Sequence, residues 1–392
     1  MKHQGFSLVE MLIATAILTV LVAGVFDIVN PMRGTFQAQP ETSDLQQRLR
    51  VAVDALSSSI RAAGAGSLVG ASRGPLARSV PAVLPYRIGE TNSDPAVGVW
   101  YRPDVITLVS TPLTGAQATL REASAQGATS ATLSLPPSCP PATATSACGF
   151  SPGTRALIYD GTGAWDAITV TTASGDTLEF SRPGGLTFAY AAGAVVTEAV
   201  IRSFSLKPDA LGVPQLSQYD GFRSEFPVVD NVVSLAFEYF GEPRPPVRLA
   251  LAPLDQPVGP WTTYGPSPPP MGVDRDDSWP MGENCVFQVA GGDHVPRLAP
   301  LGPGATLVPL GAGALTDGPW CPDAGSPASY DADLLRIRRI RVRLRVQVAS
   351  AALRGATGAL FLRGGRSTSA ERFVPDQDIE FDIAPPNMAL GR

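Results

Sequence analysis

From Phe6 to Phe26 the chain offers 21 residues with one charge, Glu10, and Asp27 ends the run. An α-helix needs ~20 apolar residues to cross the ~30 Å hydrocarbon core of a bilayer. A chain that starts this way must deal with the membrane before anything else about its fold. Lys2 precedes the run, which keeps the first few residues cytoplasmic and sends the remainder across. An ordinary secretory signal carries its small-residue cleavage site after the apolar stretch. Here the distinctive step, Gly5 followed by Phe6, lies before it, so removing MKHQG leaves the apolar helix on the mature chain. A lone acid inside a membrane is costly and marks a function or a partner.

The remainder reads as an exported, turn-rich β protein. Of 392 residues, 44% are hydrophobic, enough for a sizeable core, while 17% are charged against a typical ~25%. The 39 glycines and 38 prolines point to β-structure with many turns and long loops, in two domains or one elaborated one. A net charge of −5 argues against direct nucleic-acid binding, which shows a basic surplus. The four cysteines fall into a close pair, Cys139 and Cys148, and a wider pair, Cys285 and Cys321. An even count in loops fits two disulfides in an oxidising compartment; buried free thiols are the alternative.

After the apolar run, Asn30-Pro31, Gly34 and Pro40 predict a break in the helix. Helical periodicity then resumes as one stripe of Leu45, Leu49, Val53, Leu56, Ile60 and Ala63. Ser43 with Gln46 reads as a capping box, and Gly64 or Gly66 as the stop. The stripe is expected to pack on a sheet farther along. This gives an apolar helix over 6–29, a second helical segment over 41–64 and a linker over 65–97. A β-rich subdomain at 98–215 and a C-terminal antiparallel sheet at 216–392 follow.

Short strand signals at ten-residue spacing, VITLVS (105–110), ATLSL (131–135), DTLEF (176–180) and AVVTEAVIRSFSL (194–206), predict a small antiparallel subdomain or partial barrel. RALIYD and WDAITVT, joined by GTGA, read as a hairpin. A Cys139–Cys148 bridge would close the loop SCPPATATSACGF.

In the C-terminal part VVSLAFEYF (232–240) alternates cleanly. IRVRLRVQV (340–348) sends Ile340, Val342, Leu344, Val346 and Val348 inward, with Arg339, Arg341, Arg343 and Arg345 outward. DIEFDI (378–383) sends Asp378, Glu380 and Asp382 outward. Antiparallel pairing would set arginine opposite acid. An anionic docking surface is the competing reading. Between these strands, 243–333 is Pro/Gly-rich and almost aperiodic, a decorated insertion or a disordered one. A Cys285–Cys321 bridge there would close 36 positions and stabilise by ~3–4 kcal/mol. Its aromatics, Trp261, Tyr264, Trp279 and Trp320, are candidates for contacting a surface ligand, or for pinning the loops to the sheet.

Catalytic chemistry is scarce. His3 lies ahead of Phe6 and His294 is the only other histidine, and no GxxxxGK[ST], HExxH or GxSxG occurs. No enzyme activity and no cofactor is expected. DRDD offers Asp274, Asp276 and Asp277 as oxygen ligands for Ca²⁺ but lacks the DxDxDG order and terminal Glu of an EF-hand loop. A solvated acidic turn is the simpler reading.

The segment GFSLVEMLIA resembles the prepilin cleavage motif of type IV pilins and type II secretion pseudopilins, at Gly5, Phe6, Leu8, Glu10 and the apolar run. The resemblance implies cleavage between Gly5 and Phe6 by a prepilin peptidase and N-methylation of Phe6. It also implies that Glu10 meets the new N-terminal ammonium of a neighbouring subunit. Farther on, LSSSIRAAGAG, ALIYD/AITV, GAVV, VVDNVVSLAFEYFGE, RIRRIRVRLRVQ and FDIAPPNMALGR look like successive stretches of PilW-type minor pilins, with Pro386 where that family has arginine. Nothing in 243–333 resembles them. The family implies an α+β, pilin-like fold: a long N-terminal transmembrane helix packed on an antiparallel β-sheet head, with an inserted β-rich subdomain and long Pro/Gly-rich loops. It further implies a minor pilin that primes or caps a type IV pilus, with a role in adhesion or twitching motility. Other minor pilins, the major pilin and the inner membrane would be its partners. The head would lie in the periplasm and later at the extracellular pilus tip. A J-type pseudopilin of type II secretion and a membrane-anchored adhesin are the alternatives.

Overall fold

A computed structural model describes residues 7–66, 80–89, 101–242 and 330–388, apart from positions 113, 114, 136, 138, 142, 144, 161, 162 and 369. It also describes 287–290, 293–296, 306–316 and 320–321, with backbone alone at some positions, 27–37 among them. One helix, α1 (Leu8–Ala62), runs 55 residues. The break expected between 29 and 41 is therefore corrected. Pro31 and Pro40 each remove one N–H donor, but their fixed φ is compatible with a helix, and the turns on both sides carry it on. Beyond Pro40 the hydroxyl of Thr42 donates to the carbonyl of Ala38 at 2.8 Å. Ser43 lies inside the helix and caps nothing; the capping box sits at Ser7 and Glu10 instead. The helix ends where the sequence indicated, with Gly64 at φ 74° supplying the left-handed conformation that closes a helix.

The strands, in chain order, are β1 (Val83–Leu84), β2 (Ile106–Ser110), β3 (Gln117–Leu120), β4 (Ser130–Ser134), β5 (Arg155–Tyr159), β6 (Trp165–Ser174), β7 (Thr177–Ser181), β8 (Val195–Glu198), β9 (Val200–Pro208) and β10 (Pro214–Tyr219). They continue as β11 (Glu225–Asp230), β12 (Val232–Gly241), β13 (Phe287–Ala290), β14 (Asp293–Pro296), β15 (Val308–Leu310), β16 (Trp320–Cys321), β17 (Tyr330–Asp331), β18 (Ile337–Val346) and β19 (Gln377–Ile383). Two sheets, ordered β1-β2-β9-β10-β11 and β15-β12-β18-β19, share one core with α1. Leu45, Leu56, Ile60 and Ala63 of the predicted stripe are fully buried in it, with Leu49 packed at its margin. Strands β13 and β14 form a separate hairpin, as do β16 and β17.

A second core fills a closed barrel, β3-β4-β7-β6-β5-β8, inserted between β2 and β9. The expected hairpin is β5–β6, with Arg155 opposite Thr169 and Tyr159 opposite Trp165. The predicted subdomain at 98–215 is thus narrower: β2, β9 and β10 belong to the five-stranded sheet. AVVTEAVIRSFSL, read as one strand, divides at Ala199 into β8 of the barrel and β9 of the sheet. The linker assignment also fails at 80–89. Val80, Val83 and Leu84 are fully buried, Val83 pairs with Leu108, and the Thr107 hydroxyl donates to the Tyr86 carbonyl at 2.6 Å. A ten-residue segment interrupted by Pro81 and Pro85 shows no periodicity, and its place depends on a partner strand remote in sequence.

The helix defines two ends of the head. At the near end, toward the apolar run, Arg48 pairs with Asp230 at the close of β11. At the far end Ser59 accepts from Arg202 of β9, and the N–H of Gly64 bonds Val109 of β2. There the side-chain amide of Asn387 donates to the carbonyls of Arg61 and Ala63, two groups that a helix terminus leaves without intrahelical partners.

Candidate functional site

The first described residues form a compact device. The N–H of Ser7 donates to the Glu10 carboxylate at 2.9 Å, and the Glu10 N–H donates to the Ser7 hydroxyl at 3.2 Å. Each satisfies a donor at the start of α1, and the acid lies against the positive end of the helix dipole. One carboxylate accepts several hydrogen bonds, so Glu10 keeps capacity for a further donor. Behind it Leu8–Phe26 has a mean hydropathy of 2.4 and buries nothing against the head. The hydroxyls of Thr15 and Thr19 turn back onto the carbonyls of Met11 and Thr15, so neither presents an unbonded donor to an apolar surround. A helix this apolar and this bare is suited to lipid or to a bundle of like helices. Gly5 and Phe6, the residues of the expected cleavage, lie outside the described residues.

The far end carries the rest of the chemistry. The insertion at 243–333 springs from a clamp of charges that the sequence reading did not assign. Arg338 pairs with Glu242, and Arg336 pairs with Asp333 at 3.2 Å and donates to the Glu242 carbonyl. All four side chains are within 7% of complete burial. Glu242 immediately precedes the insertion and Asp333 closes it, so both roots are fixed. The signal was present in the doubled arginine of RIRR. Gly241 pairs with Ile337 but Phe240 with Arg339, so Arg338 is the extra residue of a β-bulge and turns inward. Gly241 is required there, since a Cβ would lie 2.3 Å from the Arg336 carbonyl.

Farther along the same strand the predicted ladder is present. Arg341, Arg343 and Arg345 face Asp382, Glu380 and Asp378 in register. Arg341 binds Asp382 through two bonds at 2.8 and 3.2 Å, and Arg343 binds Glu380 at 2.7 Å. The hydrogen bond and charge of Arg341 hold the Asp382 carboxyl below its ordinary pKa. Arg345 instead bonds Asp376 at 2.9 Å and stands 3.7 Å from Asp378. Arg339 lies over the Phe240 ring at 4.3 Å.

Within the barrel, Asp166 is a fully buried carboxylate that organises the 182–190 loop. It accepts from the N–H groups of Thr187 and Phe188 and from the Tyr190 hydroxyl at 3.0 Å, and pairs with Arg182 at 2.9 Å. Burial, reinforced by Asp166, pushes the Tyr190 phenol far above its usual range, so it remains the donor. The Cys139–Cys148 disulfide is formed, with Cα atoms 4.7 Å apart, and Cys148 is buried against the barrel core. Cys321 is buried, while Cys285 lies outside the described residues, as do Trp261, Tyr264, Trp279 and the calcium candidates Asp274, Asp276 and Asp277. Among the described residues no three acidic, histidine or cysteine side chains gather as a metal site.

A cleft of about 340 Å³ separates the barrel from the five-stranded sheet. Trp165, Phe222, Tyr86 and Tyr330 line it, with Arg155 and Arg182. Arg155 stacks 4.6 Å over Phe222 and donates to the Asp220 carbonyl, so both guanidinium charges face acids. The cleft offers stacking faces and balanced charge.

Residues 1–26 match the family model described as the prokaryotic N-terminal methylation motif. No curated protein and no solved structure matches the chain. The motif indicates an exported protein of the type IV pilin or pseudopilin kind, processed by a prepilin peptidase and assembled with pilus components.

Proposed function

We propose that this chain is a minor pilin of the PilW type, which primes or caps a type IV pilus as a structural subunit without catalytic activity. One observation carries the reading: an acid within a prepilin-type motif heads a bare apolar helix that continues unbroken into a folded head. After cleavage between Gly5 and Phe6, the helix holds the subunit in the inner membrane with the head in the periplasm. Transfer from lipid to a bundle of like helices exchanges one apolar surround for another and costs little. Glu10, satisfied until then by Ser7, takes the N-terminal ammonium of a neighbouring Phe6, an ion pair that removes the penalty of an uncompensated buried charge. At a pilus tip the far end, with the cleft and both roots of the insertion, would face outward, and Trp261 and Trp279 of that insertion are the candidates for meeting a surface or another minor pilin.

The test is to replace Glu10 by Val and recover sheared filaments. The variant should be cleaved, methylated on Phe6 and present in the membrane at wild-type level, yet absent from filaments. Entry at the wild-type level overturns the role assigned to Glu10. An intact Met1 by mass spectrometry overturns prepilin processing. Normal pili with lost exoprotein secretion on deletion would assign the chain to a secretion pseudopilus.

A further inference from the structure

At the near end of the head two ordered loops place three leucines in water. Leu211, at the tip of the β9–β10 hairpin, is 88% exposed; Leu360 and Leu362, in the loop between β18 and β19, are 54% and 43% exposed. The loops are tied together, since Arg363 donates to the Gly212 carbonyl at 3.3 Å. Neither loop is loose. Asp209 accepts from the N–H groups of Leu211 and Val213 at 2.8 Å. In the second loop Phe361, between the two leucines, is buried against Phe373 with ring centroids 5.3 Å apart. The Leu362 N–H donates to Asp376 at 2.7 Å, and Gln347 donates to the Arg363 carbonyl at 2.8 Å. The sequence LFL thus turns its aromatic inward and both leucines outward from a fixed backbone. Single exposed leucines are ordinary, but three on two pinned loops make a patch that calls for an occupant.

We infer that this patch is the contact surface for a second pilin-like subunit, seated beneath the head on the side where the apolar helix departs. The inference rests on the minor-pilin reading above. Three observations select a protein partner over lipid. Ala38 lies twelve helical steps beyond Phe26, about 18 Å of rise, so an upright helix holds the near end clear of the hydrocarbon. The leucines are presented rigidly, which lowers the ordering cost of a specific contact. On the same side of the head departs the bare helix of Leu8–Phe26, which the minor-pilin reading covers with neighbouring subunits. Beside Leu360 and Leu362 the rim is basic: Arg363 and Arg366 are exposed and form no ion pair among the described residues. The facing surface of the partner is therefore apolar with a carboxylate rim.

The experiment uses the full chain in its own cells. A photo-crosslinking amino acid placed at position 360 should give an adduct with another chain bearing a prepilin-type N-terminus. Leu211→Asp combined with Leu360→Asp should leave membrane level and melting temperature unchanged, since both positions are open to water. It should lower recovery in sheared filaments about tenfold, the scale of losing an interface anchor. Adducts with phospholipid alone, or unchanged recovery of the double variant, overturn the inference while the wild-type chain is still found in filaments. A pilin-type adduct in cells whose filaments lack this protein supports the surface and overturns the minor-pilin reading.

Discussion

Strand β18 and the turn that leads into it carry two sets of arginines that share a residue type and little else. Arg336 and Arg338, at its far end, are buried with Asp333 and Glu242. Arg341 and Arg343, a few residues on, are 29% and 51% exposed on the outer face of the sheet. An exposed pair exchanges hydration for a bond of similar strength and contributes little. A buried pair has already lost its hydration, so each member depends on the other. The difference is one of position, and it separates residues that hold the insertion in place from residues that merely clothe a sheet.

Arg338→Ala should break that contrast most sharply. It strands the Glu242 carboxylate in the interior and should destabilise the head by about 3–5 kcal/mol, read as a lowered thermal midpoint of the detergent-solubilised chain. Replacing the pair together, Arg338→Met with Glu242→Leu, should return stability to within about 1 kcal/mol of wild type. A double variant as unstable as the single one would mean that the clamp acts through packing rather than charge. Arg343→Ala should cost least, and its small effect should vanish in high salt. The ladder also predicts the sign of a pH effect. Because Asp382 titrates below its ordinary value in the folded chain, its contribution is present above the unfolded value near 3.8. That contribution is lost as pH falls through the lowered folded one. Asp382→Asn should flatten that acid limb by losing the small contribution at neutral pH, so that variant and wild type converge in acid.

Features that depend on local pattern were legible before the structure. Strict alternation gave β12, β18 and β19 and the pairing of Arg341 and Arg343 with their acids. A 3.6-residue stripe gave the buried face of α1, and close spacing gave the Cys139–Cys148 bridge. Non-local features were not. The helix runs through Pro31 and Pro40 because a proline lowers helix stability without forbidding it. Residues 80–89 enter the core through β2, which lies more than a dozen positions away. The division at Ala199 depends on barrel closure, and no windowed property marks it. The acid of the candidate site was read from Glu10 alone. Its partner Ser7 was visible as a capping box, but the same signal at Ser43 and Gln46 drew the assignment to the wrong turn.

The cap that Asn387 places on α1 has a consequence for how the protein is made. The helix is among the first segments to cross the membrane, while Asn387 and the neighbouring β19 follow more than three hundred residues later. The head therefore stays unlocked through most of export, with the Leu45–Ala63 face waiting for its last strand. Folding factors in the compartment that receives the head have that interval in which to act, and nonsense mutations late in the reading frame should be as damaging as early ones.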